Sequence, residues 1–188
     1  MNAARVRELV VAALKGKTSA EDRVYSPQDW PTTNAEYPCI IVQTPFDEKH
    51  SLGRNVPQFN TVTTVRVTGR LEEFDEEDQN GAIKAELALE ALREQIERAV
   101  INSYVLTRQI QQFLNIRSQI TISAAGEGHM AQLLMDLDIE YYQGPEEFYP
   151  VDADPLTGID ISVQMPDGSP ERRVSNDQPS TGTSQESD

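Results

Sequence analysis

The alternation of side chains over residues 130–142, which is strictly apolar and acidic from Met135 to Tyr141, constrains the fold of this chain more than any other feature. Successive side chains of a β-strand point to opposite faces of a sheet, so the pattern predicts a strand with one buried face and one polar face. The buried face comprises Leu133, Met135, Leu137, Ile139 and Tyr141, and the polar face comprises Asp136, Asp138 and Glu140. A chain with such a strand must build a sheet and cover its apolar side.

The remaining periodicities supply the other elements of a sheet-and-helix domain. Apolar residues recur at helical spacing in some segments, whereas β-branched runs and alternation indicate strands in others. The predicted helices cover residues 3–14, 81–103 and 106–114, and the predicted strands cover 39–42, 59–71, 117–125 and 130–142. Their order along the chain predicts an α+β fold, a mostly antiparallel sheet with helices packed on one face.

The C-terminal region differs from the rest of the chain in composition. A domain is predicted over residues 1–150, followed by an acidic extension rich in proline and serine over 151–188. After Pro166 the only aliphatic side chain is Val174, so the extension cannot bury enough apolar surface to offset the entropy of ordering. We expect a disordered or partner-ordered tail, except that the alternating run 159–163 could form an added strand.

The charge balance and the cysteine count argue against several classes of protein. The chain has 188 residues and a formal net charge of −15, and its longest basic run is the pair Arg172-Arg173. Nucleic-acid binding draws its affinity from clustered Lys and Arg, which are missing here. The sequence contains no run of about 18 apolar residues, so no membrane partner is expected. Cys39 is the single cysteine, which excludes an internal disulfide.

No set of side chains in the sequence suggests a catalytic, cofactor or metal site. Cys39 lies in an apolar run and is expected to be a core residue, and His50 and His129 fall in predicted loops without a neighbour at metal-ligand spacing. The three carboxylates on the polar face of residues 130–142 could form an acid–base or calcium cluster, but calcium sites usually need a loop that wraps around the ion. A solvated sheet face and a face lining a water-filled channel are the other interpretations.

A polar segment follows the first predicted strand and is expected to be a loop. Residues 45–57 begin and end with proline and carry charged side chains and a glycine. Long loops without secondary structure are usually functional or ordered by a partner. We therefore expect this segment to contact a neighbouring subunit. The candidate interface residues are Lys49, Ser51, Leu52, Gly53, Arg54 and Asn55.

Several short motifs distributed over residues 3–150 carry a family resemblance. They are Glu21-Asp22-Arg23-Val24-Tyr25-Ser26-Pro27, Asp29-Trp30-Pro31, Tyr37-Pro38, Ser51-Leu52-Gly53-Arg54-Asn55, Gln95-Ile96-Glu97-Arg98-Ala99-Val100-Ile101-Asn102, and Tyr142-Gln143-Gly144-Pro145-Glu146-Glu147-Phe148-Tyr149-Pro150. Together they resemble the tail terminator proteins of long-tailed phages and prophages, the minor tail protein U type. The segment 151–188 lies outside the pattern.

The resemblance implies a structural protein rather than an enzyme, with no cofactor. Such proteins form a six-subunit ring on the end of a completed tail tube, stop its polymerisation and present the surface to which the head connector docks. The implied partners are further copies of the chain, the tail tube protein and a head–tail connector or stopper protein. The implied location is the tail or neck of the virion, assembled in the host cytoplasm. The family fold, a sheet with helices on one side, agrees with the periodicities above.

A ring of this kind must let double-stranded DNA pass without specific binding, which favours an acidic channel. Residues 1–144 contain 14 basic against 21 acidic side chains. Two faces are candidate linings, and each could instead be a solvated outer face. The first comprises Asp136, Asp138 and Glu140, and the second is the outer face of the long helix, with Glu86, Glu90, Glu94 and Glu97.

Two alternative functions belong to different classes. Another neck or tail component, either a tail tube subunit or a head–tail connector, has the same composition but differs in assembly, because a tube protein grows filaments and a terminator forms discrete rings. A small hydrolase would need a nucleophile, a base and a group that orients the base. Two loop histidines and a buried thiol do not supply that set.

Overall fold

The computed structural model describes residues 1–26, 37–54, 56–74, 80–125 and 128–149, and two short strands near the C-terminus. The chain divides into two units, Met1–Tyr149 and Pro150–Asp188. The elements of the first unit are α1 (Ala3–Leu14), β1 (Val24–Tyr25), β2 (Cys39–Ser51), β3 (Phe59–Phe74), α2 (Gly81–Ile101), α3 (Tyr104–Thr107), β4 (Gln112–Ala125) and β5 (Gly128–Gln143). A 3-10 turn at Pro145–Glu147 follows.

The first unit is an α+β domain, as the sequence predicts. Its five strands lie in the order β1-β2-β3-β5-β4, and all neighbours are antiparallel except the short β1, which runs parallel to β2. Strand β3 occupies the centre and pairs with β5 along its whole length, from Phe59 opposite Gln143 to Phe74 opposite Gly128. The helices α1 and α2 contact the sheet and each other.

The core lies between the helices and the predicted apolar face of the sheet. The five residues predicted for the buried face of β5, from Leu133 to Tyr141, are at most 1% exposed. The buried residues of α2 recur at helical spacing, namely Ala85, Leu89, Leu92, Ile96 and Val100. Full burial of one such aliphatic side chain contributes about 1.5–3 kcal/mol, so this stripe fixes α2 on the sheet.

Helix α1 begins and ends where local signals place its ends. The side chain of Asn2 caps the first turn by accepting a hydrogen bond from the Arg5 backbone N–H at 2.9 Å. At the other end Gly16 has φ of +65°, the left-handed conformation that ends many helices and that glycine adopts without steric cost. The helix predicted over residues 3–14 is therefore confirmed with both of its ends.

A predicted loop and a predicted helix are wrong in extent, and the strand predicted over 117–125 begins earlier, at Gln112. The expected loop at 45–57 is strand up to Ser51, because residues 46–51 pair with Phe59–Thr64 of β3 after an irregularity between Gln43 and Phe46. This stretch of β2 is mostly exposed, so its sequence lacks the apolar character that marks a buried strand. The third expected helix, 106–114, is only the single turn of α3, because Gln112 and Phe113 already pair with β5.

The second unit contains one described pair of strands. The run predicted to form a strand at 159–163 does so as β6 (Asp160–Val163), which pairs antiparallel with β7 (Arg172–Ser175). Strand β7 lies within the stretch that the sequence predicts to be disordered. The remaining residues of the extension lie outside the described part of the chain, so their expected disorder stays a prediction.

Candidate functional site

The six candidate interface residues fall into two groups. Lys49 and Ser51 belong to β2, whereas Leu52, Gly53 and Arg54 follow it at the exposed tip of the β2–β3 hairpin. The backbone N–H of Leu52 donates to the carbonyl of Gln58 at 2.9 Å and closes this hairpin. Asn55 lies outside the described residues. The tip, rather than the whole segment, is therefore the part of the predicted interface that projects from the sheet.

The side chain of Lys49 belongs to a polar network inside the domain. Its ammonium group donates to Thr61 Oγ1 at 3.3 Å and to Gln143 Oε1, and it lies 3.2 Å from a carboxylate oxygen of Asp47. Thr61 Oγ1 also donates to Gln143 Oε1 at 2.8 Å. Gln143, which is 5% exposed, donates from its amide nitrogen to the carbonyl of Met1 at 2.6 Å. The network ties three strands to the start of α1.

A second branch of the network runs through the hydroxyl groups of Thr63 and Tyr141. Thr63 donates to Asp47 Oδ1 at 2.5 Å, so its oxygen accepts the proton of the Tyr141 hydroxyl 3.0 Å away. Thr63 and Tyr141 are at most 1% exposed, and burial raises the pKa of the Tyr141 phenol above its ordinary value. Every buried hydroxyl on this branch has a partner, which is typical of structural networks.

The sequence contains a weak signal for this network that the apolar periodicity obscures. Thr61, Thr63 and Tyr141 lie on the face that carries the core, one end of which is therefore polar. The network contains no imidazole or thiol, and its hydroxyls donate to one another or to Asp47 and Gln143. These hydrogen bonds hold the outer half of β2 (residues 43–51) against the rest of the domain.

The predicted acidic face of β5 is present and is neutralised by its neighbours. Arg66 on β3 binds both oxygens of Asp136, with N···O distances of 2.8 and 2.9 Å. Asp138 accepts hydrogen bonds from Thr64 at 2.7 Å and from Arg117 on β4 at 3.0 Å. The hydrogen bond to Asp136 raises the pKa of the Arg66 guanidinium above its ordinary value.

Glu140 completes this row of cross-strand pairs. One of its carboxylate oxygens accepts a hydrogen bond from the side-chain amide of Gln112 at 2.6 Å. Two cations therefore face the three carboxylates, which offsets the mutual repulsion that a flat acidic face would otherwise cost. Among the described residues, no group of three or more His, Cys, Asp and Glu side chains is arranged to hold a metal ion.

The outer face of α2 carries the other candidate lining. Glu86, Glu90 and Glu94 are exposed, and Glu97 is half-buried. Two large apolar residues, Ile83 and Leu87, share this side of the helix and are each 60% exposed. Unlike the carboxylates of β5, the three exposed glutamates are not opposed by a partner strand.

The remaining singled-out residues lie in strands. Cys39 is fully buried, which agrees with its interpretation as a core residue. His50 was expected in a loop but lies in β2, where its imidazole is exposed and 3.7 Å from a carboxylate oxygen of Glu48. His129 also falls within a strand, β5. The loop prediction is therefore wrong for both histidines.

Among the described residues, strands β2 and β4 each have a long stretch with a neighbouring strand on only one edge. On one side β1 pairs with β2 only at Ile40 and Ile41, so β2 from Gln43 to Ser51 has β3 as its single neighbour. On the other side β4, from Gln112 to Ala125, has β5 as its single neighbour among the described strands, with an irregularity at Leu114. Open edges expose backbone N–H and C=O groups that can pair with another chain.

A groove of about 470 Å³ lies between α1 and α2. Its lining contains neither a carboxylate nor an imidazole nor a thiol and comprises Ala12, Ala13, Lys17, Gln95, Arg98, Ala99, Asn102 and Ser103. Ser103 and Lys17 are the lining residues whose chemistry could serve as a nucleophile or a base, and the lining supplies no imidazole or carboxylate to orient such a base.

The sequence matches no protein-family model and no curated protein. None of the helices in the described part of the chain is both long and apolar enough to cross a membrane.

Proposed function

We propose that this chain is a structural subunit of a phage tail that forms a closed ring, caps the completed tail tube and presents the docking surface for the head connector. The motifs at residues 21–38, 51–55, 95–102 and 142–150 support this proposal through their resemblance to tail terminator proteins. The α+β fold is compatible with that resemblance. Both the ring and its place in the virion are part of the proposal.

The observation that carries the proposal is the pair of open strand edges. They lie at the two lateral edges of one sheet and belong to different strands, β2 and β4. Contacts between two different surfaces of identical subunits are head-to-tail, and they generate either closed rings or open filaments. A protein that assembles with copies of itself has a use for two such edges, whereas a monomer must protect them.

The distribution of charge supports a passage for DNA. The carboxylates on β5 are paired with Arg66 and Arg117, so that face contributes little net charge. The described residues form no such ion pair with the exposed glutamates on α2, although the same helix carries Lys84, Arg93 and Arg98, and each glutamate would repel a phosphate backbone. We therefore assign the channel lining to Glu86, Glu90 and Glu94, with Glu97 at its margin.

Two alternatives are separated from this proposal by assembly and by chemistry. A tail tube subunit or head–tail connector could use the same two edges, and a tube subunit would build filaments. A small hydrolase would need a catalytic set, and the groove between α1 and α2 offers none among its lining residues. The alternative of another neck component therefore remains the second candidate.

Electron microscopy of the purified 188-residue chain, with mass photometry over a range of concentrations, tests the proposal. A terminator forms particles of one size and of ring shape, and six subunits are expected. Filaments that lengthen with concentration would favour the tube subunit. A chain that stays monomeric at every concentration, including within isolated tails, would overturn the proposal.

A further inference from the structure

We propose that the ring interface is a continuous β-sheet, in which the open edge of β4 in one subunit pairs antiparallel with the outer half of β2 in the next subunit. This inference rests on the proposed ring and names the surface that would build it. The occupant of the β4 edge is thus a second copy of the same chain.

Strand β4 lacks the usual protection of an edge strand. Natural edge strands are shortened, charged or interrupted by proline so that other chains do not pair with them. Strand β4 has 14 residues, no proline and one charged side chain, Arg117, and it is rich in isoleucine and other residues that favour strands. Such an edge is expected to be covered when the protein is assembled.

The outer half of β2 is an open edge of suitable length. From Gln43 to Ser51 it spans nine residues, which at about 3.4 Å per residue is about 30 Å of strand. Pro45 and the irregularity between Gln43 and Phe46 interrupt the edge close to β1. The continuous part, residues 46–51, is therefore the stretch available for pairing.

The direction of the strands permits this pairing. Strands β2, β3, β5 and β4 alternate in direction, so β2 and β4 at the two sides of this set run in opposite directions. When a second copy is placed beside the first in the same orientation, its β2 therefore runs antiparallel to β4. Repetition of this step is a head-to-tail contact, which is the kind that closes into rings.

The two edges also match in side chains. Phe46 on β2 and Leu114 on β4 are 59% and 49% exposed, and both are large apolar residues. Phe46 lies at the level of Asn115, the residue after Leu114, along the cross-strand row Phe46, Thr64, Asp138 and Asn115. In the unstaggered arrangement Phe46 of one copy therefore lies opposite Asn115 of the next, one residue from Leu114.

A symmetric dimer of β4 with β4 is the main competing arrangement. It would bring the only charged residue of the strand, Arg117, into contact with a surface that carries the same residue. It would also leave Phe46 exposed. The head-to-tail arrangement instead joins β4, whose one charged side chain is positive, to a stretch of β2 whose net charge is negative because it carries Asp47 and Glu48 against one Lys49.

Disulfide trapping between two single variants tests the interface directly. Glu48→Cys and Gln112→Cys alter residues at the same level of the sheet, along the row Glu48, Val62, Glu140 and Gln112. The two variants are mixed, one of them carrying a mass tag, and then oxidised. Glu90→Cys on α2, also exposed, is the control in the same mixtures. The native Cys39 is buried and stays in place.

The proposal predicts a mixed disulfide between the β2 and β4 variants, and little product with the control. Disulfides between two copies of the Gln112→Cys variant alone would overturn it in favour of the symmetric dimer. Rings that form without any mixed disulfide, in this pair and in the neighbouring pair Phe46→Cys with Asn115→Cys, would overturn the interface but not the proposed function. Absence of every oligomer would overturn the proposed function itself.

A second pair of variants measures the apolar contact. Phe46→Ser and Leu114→Ser should each raise the concentration needed for ring assembly by roughly tenfold or more, because each removes apolar area that assembly buries. Leu87→Ser on α2 removes a side chain of similar exposure and should leave assembly unchanged. Equal effects of all three variants would contradict the interface.

Discussion

The hydroxyl groups of Thr63 and Tyr141 lie 3.0 Å apart across strands β3 and β5, on the face of the sheet that carries the core. The Thr63 hydroxyl donates a hydrogen bond to Asp47 on β2, so a chain of hydrogen bonds crosses three strands. The phenol must stay protonated to donate in this chain. An ordinary phenol is already protonated at neutral pH, and burial, which raises the pKa of Tyr141, extends the protonated range to higher pH.

This arrangement predicts a loss of stability at alkaline pH. The folded-state pKa of Tyr141 is raised above the ordinary value of about 10, so its contribution is fully present below pH 10 and is lost as the pH rises toward the folded-state pKa. Tyr141→Phe should lower the free energy of unfolding by about 1 kcal/mol at pH 8 and reduce its decline above pH 10.

Chemical denaturation at several pH values measures both effects. Tyr104→Phe is the matched control, because Tyr104 is 74% exposed and should retain the full alkaline decline of the parent protein. If Tyr141→Phe showed the same decline as the control, the phenol would not be the group responsible.

The packing of α2 on the sheet predicts an unequal response at two glycines. A methyl group added at Gly69 would lie 2.8 Å from Cδ2 of Leu92, a side chain that is 1% exposed and cannot easily move. Gly69→Ala should therefore destabilise the domain by about 1–3 kcal/mol. Gly53→Ala meets no atom within 4 Å and should change stability by less than about 0.5 kcal/mol. Thermal unfolding of both variants provides the comparison, which equal destabilisation would contradict.

The periodicity of the sequence predicts the fold well where one face of an element is buried. The alternation in β5 and the helical stripe of α2 have period and length enough to identify both elements and their buried residues. Periodicity does not identify the outer half of β2, because this stretch is an exposed edge and its polar residues resemble those of a loop. The single turn of α3 fails because its few residues carry too little pattern.

The hairpin tip predicts a local change on assembly. Lys49 is held by Thr61 and Gln143 in the isolated domain, whereas Leu52, Gly53 and Arg54 are exposed. Amide hydrogen exchange should slow on assembly at residues 52–54 and at those amides of residues 46–51 that face the open edge of β2, whereas the amides of β2 that are bonded to β3 should exchange slowly in both states. Fast exchange at the tip in both states would remove it from the interface.

The candidate site is less predictable from sequence than the fold. The acidic alternation on β5 identifies its face, but the partners of its carboxylates, Arg66 and Arg117, come from two other strands. Their opposition depends on register, which a single strand's sequence does not specify. The network around Tyr141 is likewise assembled from positions that are distant in sequence. Charge patterning alone therefore assigns no function to either group.

The proposed channel predicts a gain of DNA binding from charge reversal. Rings carrying Glu86→Lys, Glu90→Lys and Glu94→Lys should bind double-stranded DNA, and that affinity should fall steeply as salt is raised. The control is Glu8→Lys, Glu21→Lys and Asp22→Lys, which makes the same change in net charge at exposed residues outside α2. Filter binding or anisotropy at several salt concentrations measures both. Equal affinities would contradict the assignment of α2 to the lumen.

The central claim is that this chain forms a ring that ends the tail tube. Cryo-electron microscopy of phage particles, with this chain carrying a small label, tests it most directly. The account predicts one closed ring of labelled subunits, six in number, between the last tube layer and the head connector, with the sheet continuous from subunit to subunit. Label distributed along the length of the tube, or absent from the particle, would contradict it.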